Sequence, residues 1–365
     1  MPINNKPAAM LKPLAPLGMA KTMRHLRVPS QKTSLWRDKL ASKGWLAQGY
    51  GIHNLATHRG IALNDLAPTR IEEFEIIELE PIMAGPKHWT ERLDPYLFEK
   101  YINYWPMSHD QVGDVVIIKI PEEIRNFSNE VGQAILNQHA SARIVCADNG
   151  VKGEFRVRDL ETIISRGEDS TKTKVKEHGN EFWVDPGVAY YSPRLANERL
   201  GTIDCARKLS STLGRKISVC DPYAGVGPAL VPLSKMQDVI GEIYASDLNR
   251  EAVNLLAQNL PNQTTQCKDA RKLSSELPEC CDLLLVNLPH NSIEHLPDLL
   301  GLLKTGHEVV IRGWAIIPTD LIEISRDRIL ESLSGCEVIS ISLEASKSYS
   351  PQDTYACMEV HLIRS

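Results

Sequence analysis

The stretch that decides the fold is Lys216-Ile-Ser-Val-Cys-Asp-Pro-Tyr-Ala-Gly-Val-Gly-Pro228. A short apolar strand runs into Asp221, and a turn with Gly225 and Gly227 leads into a helix. Glycine adopts backbone conformations that other residues avoid, and it lets a ligand approach the main chain. A second strand, Tyr244-Ala-Ser-Asp247, ends twenty residues after Gly227 in a carboxylate that can accept both hydroxyls of a ribose. This order of elements is typical of a nucleotide-binding α/β domain.

The glycine pattern also indicates which nucleotide is bound. The third glycine of a dinucleotide fingerprint is missing because position 230 is Leu, which favours S-adenosyl-L-methionine over a nicotinamide cofactor. A lone Gly-x-Gly after a strand is more often a tight turn, but suitable polar groups follow four successive strands here. We therefore predict S-adenosyl-L-methionine as the cofactor. The predicted cofactor-binding residues are Tyr190, Asp221, Gly225, Gly227, Asp247, Leu248, Asp269, Asn287 and Pro289.

The pattern of strands and helices predicts how the chain is divided. Strands near 217–221, 242–246, 282–286 and 307–312 alternate first with helices, which predicts a parallel sheet, and an antiparallel pair ends the chain. We predict a basic tail over 1–33, a small domain over 34–88, a connecting α+β domain over 89–170 and the α/β domain over 178–365. We expect the tail to be mostly extended, 154–158 to form a strand, and the polar run from 166 to be a connection.

Composition sets limits on the class of protein. The 365 residues are 42% hydrophobic and 24% charged, and no apolar run reaches the length of a membrane span. The eight cysteines include no CxxC pair, which predicts a reduced, cytoplasmic protein without a metal site. The first 45 residues hold nine Lys or Arg and one acid, a net charge of +8, while the remaining residues carry −13. A basic arm of this kind can contact phosphate, although a solvated tail has the same composition.

Four further residues are candidates for catalysis. Asn287 ends the strand Leu283-Leu-Leu-Val, where its amide can hold the edge of a planar base; the alternative is a turn residue. Arg194 and Glu198 are four apart on a predicted helix, so the arginine can position Glu198 as a base that removes a ring proton; the alternative is a surface ion pair. Arg156 is predicted to share a strand face with Arg158, and either can reach a phosphate or a base oxygen.

These residues together resemble the archaeal and eukaryotic tRNA (guanine-37-N1)-methyltransferase family. The resemblance covers most of the chain and rests on several motifs. They are Gly113-Asp-Val-Val-Ile-Ile-Lys-Ile-Pro-Glu-Glu, Gly153-Glu-Phe-Arg-Val-Arg-Asp-Leu-Glu, Tyr190-Tyr-Ser-Pro-Arg-Leu-Ala-Asn-Glu-Arg199, Asp221-Pro-Tyr-Ala-Gly-Val-Gly-Pro228, Asn287-Leu-Pro and Lys347-Ser-Tyr-Ser-Pro351. His290 and the basic tail are less typical of the family.

The resemblance implies a fold and an activity. The fold class is α/β, with a class I (Rossmann-like) methyltransferase domain behind two smaller N-terminal α+β domains. Glu198 would take the N1 proton of guanosine 37, and Asn287 with Arg156 or Arg194 would hold the base oxygen O6. The partner would be tRNA, contacted at its anticodon stem-loop and elbow, and we expect a monomer.

Other functions stay open from the sequence. One related branch transfers an aminocarboxypropyl group in wybutosine synthesis, and it typically has Ser-Gly-Asn where this chain has Ser192-Pro-Arg. Another branch also methylates a wyosine precursor. Beyond the family, a small-molecule N-methyltransferase or a catalytically silent RNA-binding protein could use the same fold.

Overall fold

The computed structural model describes residues 22–365, which divide after Glu91 into two units. Over its described residues, the first unit contains one α-helix and four antiparallel strands in the order β2-β3-β1-β4. The strands are β1 (Met23–Pro29), β2 (Ile52–Leu55), β3 (His58–Ala62) and β4 (Ile76–Leu79), and the helix is α1 (Thr33–Ser42). The central strand β1 was not predicted from the sequence. The part of the basic tail before residue 22 lies outside the described residues.

The second unit begins with a four-stranded sheet in the order β5-β6-β7-β8, followed by a hairpin of β9 and β10. Its elements are α2 (Pro95–Lys100), β5 (Asp110–Val112), β6 (Val115–Ile118), α3 (Ser128–Gln138), β7 (Ile144–Lys152), β8 (Val157–Ser165), β9 (Thr173–Glu177) and β10 (Asn180–Val184). The prediction of a connection after residue 166 was therefore wrong for Thr173–Glu177, which form the strand β9. Thr173 and Val175 are buried while the lysines beside them are exposed, an alternation typical of a strand.

A seven-stranded sheet in the order β13-β12-β11-β14-β15-β17-β16 forms the rest of the second unit. Its elements are α4 (Ala196–Leu213), β11 (Ile217–Asp221), α5 (Leu230–Ser234), β12 (Ile240–Asp247), α6 (Arg250–Asn259), β13 (Thr264–Cys267), β14 (Leu283–Val286), α7 (Ser292–Leu299), β15 (Glu308–Pro318), α8 (Ile322–Ser332), β16 (Cys336–Ser348) and β17 (Asp353–Arg364). The pairings among β11 to β15 are parallel, and β17 is antiparallel to both its neighbours. The predicted α/β class is confirmed.

The strand order reverses between β11 and β14, at the centre of the sheet. All four residues of β14 are buried: Leu283 and Leu285 face one apolar core, and Leu284 and Val286 face the other. A parallel strand covered on both faces needs such a continuous apolar run. The point of reversal leaves a crevice at the carboxyl ends of the strands, where ligands bind in this architecture. Among the described residues, no helix combines the length and the apolar character needed to cross a membrane.

One buried carboxylate holds the opposite ends of these central strands. Asp282 is fully buried and accepts hydrogen bonds from Arg215 (2.8 Å), Lys304 (3.0 Å) and the backbone N–H of Ser218 (2.8 Å), and its Oδ1 lies 2.8 Å from Nε2 of His307. Burial alone would raise the pKa of Asp282. The hydrogen bonds outweigh burial and hold that pKa well below its usual range.

We expect Asp282→Ala to lower the free energy of unfolding by about 3 kcal/mol near pH 7, because it breaks a buried ion pair whose cations stay partly hydrated. A lowered folded-state pKa means that the contribution is present above the unfolded pKa of about 4. It is lost as the pH falls through the folded-state pKa. Urea denaturation followed by tryptophan fluorescence measures the difference between wild type and variant.

The matched control is Glu161→Ala, which removes the exposed ion pair with Arg125. Exposed pairs contribute about 1 kcal/mol or less. Equal losses in the two variants, or a loss at Asp282 that stays unchanged at pH 2, would contradict the role of Asp282.

Candidate functional site

The carboxylate of Asp221 lies at the point where the strand order reverses. It is 1% exposed, and it accepts hydrogen bonds from the backbone N–H of Tyr223 (3.0 Å) and from Nδ2 of Asn287 (2.9 Å). Burial raises the pKa of Asp221 to about 7 despite these two hydrogen bonds. The ends of β11 and β14 are thus joined by a direct contact between two of the predicted site residues.

The turn after Asp221 depends on both of its glycines, for different reasons. Gly225 has φ +55° and Gly227 has φ +84°, conformations that residues with a Cβ rarely adopt. A Cβ at Gly227 would lie 2.7 Å from Cδ1 of Leu256 on α6, so this glycine allows the turn to pack. A Cβ at Gly225 would meet, within 4 Å, the carbonyl oxygen of Tyr190 at 3.9 Å. Gly225 therefore faces the open side of the turn.

Asp247 connects the end of β12 to this turn. Its carboxylate accepts hydrogen bonds from the N–H groups of Gly225 (2.8 Å) and Asn249 (2.9 Å). Burial raises the pKa of Asp247 in spite of these contacts. A carboxylate has about four acceptor positions, so these contacts do not exhaust its capacity to accept from a ligand hydroxyl. Leu248, the next residue, is 51% exposed and presents an apolar surface beside them.

Asp269 follows β13, and it caps the short 3₁₀ helix Ala270–Ser275. Its side chain accepts from the backbone N–H of Arg271 (3.1 Å) and pairs with the guanidinium of the same residue (2.8 Å). Hydrogen bonds from Arg271 lower the pKa of Asp269. The arginine was not recognised from the sequence, and a ligand that bound Asp269 would share the carboxylate with it.

Asn287, Leu288 and Pro289 form a rigid end to β14. The carbonyl of Pro289 accepts the N–H of Ile316 on β15 (2.8 Å), which ties the segment to the next strand. His290 then turns outward, and its ring meets that of Tyr349 edge-on, with centroids 5.8 Å apart. Burial and the nearby charge of Arg156 lower the pKa of His290. The charge of Arg156 therefore acts on His290, three residues after Asn287.

The predicted geometry of Arg156 and Arg158 was wrong. Arg156 lies in the turn before β8 with φ +51°, and its N–H donates to the carbonyl of Gly153 (3.3 Å). Arg158 lies in β8, where it pairs with Asp110 (2.7 Å) and Asp148 (3.0 Å). The turn over 153–156 was not visible as a strand boundary because Val157 continues the alternating pattern. The two arginines therefore have different surroundings. Of the two, Arg158 is held in an ion-pair network with Asp110 and Asp148.

The predicted contact between Arg194 and Glu198 was also wrong. Arg194 belongs to the 3₁₀ helix Pro193–Leu195, not to α4, and its guanidinium donates to Asp110 (2.6 Å). Glu198 lies in the first turn of α4 and accepts a hydrogen bond from the hydroxyl of Ser346. Nζ of Lys347 is 3.9 Å from the same carboxylate. The partners of Glu198 come from β16, 148 residues along the chain, which no local spacing indicates.

A buried ion pair holds the segment that leads into α4. Nε of Arg199 donates to Oε1 of Glu177 (2.7 Å), the hydroxyl of Tyr191 donates to Oε2 (3.1 Å), and both charged side chains are 9% exposed. Tyr190, the neighbour of Tyr191, is 59% exposed and is available to a ligand. Arg199 ends the Tyr190–Arg199 motif, but nothing in the sequence indicated that Glu177 is its ion-pair partner.

The site fits the cofactor that the sequence predicts. The open side of Gly225 and the carboxylate of Asp247 form a cradle for a ribose, and Leu248 offers an apolar surface for a flat ring. Asp221 and Asp247 both have a raised pKa, and each is disfavoured as an anion without a nearby cation. The sulfonium and ammonium groups of S-adenosylmethionine would supply such a cation.

Three cysteine sulfurs also lie close together at β11. The Sγ atoms of Cys220, Cys280 and Cys281 lie within 4.8 Å of one another. They lie in the apolar core beside Leu284 and Ile311, and Cys281 donates to the carbonyl of Leu302 (3.3 Å). The prediction that the chain holds no metal rested on the missing CxxC spacing, which does not reveal a cluster formed by tertiary packing.

The comparison with known families assigns most of the second unit. Residues 173–335 match the TRM5/TYW2 methyltransferase domain, and residues 90–170 match the TYW2 N-terminal domain. The tRNA (guanine(37)-N(1))-methyltransferase Trm5b of Pyrococcus abyssi is 28% identical over 296 residues, which are 79% of this chain and 83% of the relative.

Solved structures agree with these sequence matches. The crystal structure of wild-type Trm5b from Pyrococcus abyssi is similar with a TM-score of 0.64 and 25% identity, covering 93% of this chain and 99% of that chain. A structure of aTrm5 in complex with tRNALeu is similar with a TM-score of 0.62 and 26% identity, covering 93% and 99%. The resemblance seen in the motifs is confirmed, and residues 173–335 of this chain form a TRM5/TYW2 methyltransferase domain.

Proposed function

We propose that this protein transfers a methyl group from S-adenosyl-L-methionine to N1 of the guanosine at position 37 of tRNA. The observation that carries the proposal is the arrangement at the carboxyl edge of the sheet. There Asp221 hydrogen-bonds Asn287 across the reversal of strand order, beside the glycine turn that fits the cofactor. The relatives that carry the same domain are named tRNA (guanine(37)-N(1))-methyltransferases.

The cofactor contributes an electrophilic methyl group on a sulfonium. We assign Tyr190, Gly225, Asp247, Leu248 and Asp269 to the nucleoside of the cofactor, and Gly227 to the packing of the turn against α6. Asp221 keeps Asn287 in place through the hydrogen bond between the two side chains. Pro289 restricts the backbone after Asn287, and the hydrogen bond from Ile316 to its carbonyl ties this segment to β15.

The chain's own residues account for the handling of the base. A nucleotide that leaves its stack exposes N1 and O6 together. Glu198 accepts the N1 proton, and the amide of Asn287 donates to O6, where negative charge develops. Arg156 is the arginine we assign to O6, because its charge acts on His290, three residues after Asn287. Arg194 is assigned to positioning, because Asp110 already binds its guanidinium.

The larger contacts with tRNA follow from the same proposal. We assign the anticodon stem-loop to the unit that carries the site, and the elbow to the small N-terminal domain near residues 34–88. Residues 89–170 would connect the two, ahead of the methyltransferase domain at 178–365. We further propose a cytoplasmic monomer, and the eight free cysteines support a reducing compartment.

The first experiment incubates the purified protein with labelled S-adenosylmethionine and paired tRNA transcripts that carry guanosine or adenosine at position 37. N1-methylguanosine formed from the guanosine transcript alone is the expected result. An aminocarboxypropyl product, or methylation of a wyosine precursor, would move the protein to the wybutosine branch. If no tRNA were modified, a small-molecule methyltransferase or a silent RNA-binding protein would replace the proposal.

Glu198→Ala should lower turnover by about 10²–10⁴, the range for a positioned general base, with little loss of tRNA binding. The measurements are single-turnover methylation and a filter-binding assay on the same transcript. Glu251→Ala serves as the control, because Glu251 lies in the first turn of another helix, α6. A normal rate for the Glu198 variant would remove this residue from the mechanism.

Asn287→Ala should lower the rate by about 10²–10³, because one donor to the developing charge on O6 is removed. Since Asn287 also binds Asp221, affinity for the cofactor is measured separately by calorimetry, and the rate is taken at saturating cofactor. An unchanged rate at saturation would make Asn287 a structural residue of the β14 end.

A further inference from the structure

The strand β16 carries a β-bulge where it passes the site. Ala345 pairs with Ala356, but Lys347 pairs with Tyr355, so Ser346 is the one residue on β16 without an opposite partner at this point. An extra residue of this kind twists the strand and redirects the side chains around it. The bulge therefore changes which way the side chains of 346 and 347 point.

Both redirected side chains contact the beginning of α4. The hydroxyl of Ser346 donates to Oε1 of Glu198. Nζ of Lys347 donates to the carbonyl of Arg194 (3.1 Å) and lies 3.9 Å from Oε1 of Glu198. Adjacent residues of a regular strand point to opposite faces of the sheet, so both could not reach one carboxylate without the bulge.

The surroundings of Glu198 support a fixed orientation. Lys347 lies over the ring of Tyr355, with Nζ 5.2 Å from its centroid, so the lysine is itself held in place. Burial raises the pKa of Tyr355 and of Cys357, and the charge of Glu198 contributes to both shifts. These two groups therefore remain neutral beside the carboxylate, and Lys347 is the cation that faces it.

We propose that Ser346 and Lys347 are positioning residues for Glu198, delivered by the β-bulge. This inference rests on the proposed function, in which Glu198 accepts the N1 proton. Both contacts are made to Oε1, so Oε2 is the oxygen that we assign to the N1 proton. Ser346 lies immediately before the Lys347-Ser-Tyr-Ser-Pro351 motif, at the residue that the bulge leaves without an opposite partner.

The test is single-turnover methylation of the guanosine-37 transcript. Ser346→Ala should slow methyl transfer about 10-fold, because a hydrogen bond to a charged group is lost, while the KM for tRNA stays unchanged. Ser346→Thr keeps the hydroxyl and should retain the wild-type rate. The control is Ser342→Ala on the same strand, where the lost hydrogen bond goes to Glu344. Lys347→Met should also slow transfer, and it provides a second measure if the serine variant folds poorly.

A double-mutant cycle separates positioning from a general structural effect. If Ser346 acts through Glu198, then Ser346→Ala should cause no further loss in the Glu198→Ala background. A 10-fold loss in both backgrounds, or a normal rate for Ser346→Ala and Lys347→Met with Glu198→Ala impaired, would overturn the inference. A normal rate for Glu198→Ala would instead overturn the proposed function.

Discussion

The contact between β11 and β14 is the constraint on which the rest of the second unit depends. These strands register through two residue pairs, Val219 with Leu283 and Cys220 with Leu284. Buried carboxylates secure both ends of this short pairing. At one end Asp282 binds cations and the N–H of Ser218, and at the other Asp221 binds Asn287. The carboxylate at the amino ends of the strands is stabilised as an anion, whereas the one at the carboxyl ends has a raised pKa. The first contributes to stability, and the second lies where a ligand's charge would be received.

The four-stranded sheet of β5 to β8 helps to position the site. Asp110 on β5 binds both Arg158 on β8 and Arg194 before α4, and these hydrogen bonds lower its pKa although burial would raise it. The segment that precedes Glu198 is thus tied to a strand that lies 84 residues before it in the chain. The ion pair of Arg199 with Glu177 holds the same segment from the β9 hairpin. A change in either network would shift the beginning of α4, and with it the carboxylate that we assign as the base.

Much of the architecture follows from local patterns. The Asp221–Pro228 turn requires glycine at two positions of positive φ, and such a requirement is visible in a sequence. The alternation of strands and helices after residue 190 also predicted the parallel sheet and the antiparallel strands at its end. The predictions that were wrong concern side-chain partners. Arg194 and Glu198 have helical spacing, but the helix begins two residues after Arg194, so the two do not share a face. Arg156 and Arg158 have strand spacing, but a turn separates them.

The sequence by itself determined the class of the fold, the cofactor turn, and the order of polar residues at the strand ends. These features depend on backbone conformation and on periodicity, which neighbouring residues decide. Only the tertiary structure decided which residues hold Glu198, which arginine's charge acts on His290, and that Cys220 meets the adjacent Cys280 and Cys281. Each of these contacts joins segments far apart in the chain, or depends on a one-residue bulge at Ser346. A bulge changes the direction of side chains without changing the composition of a strand, so the pattern of residues does not reveal it.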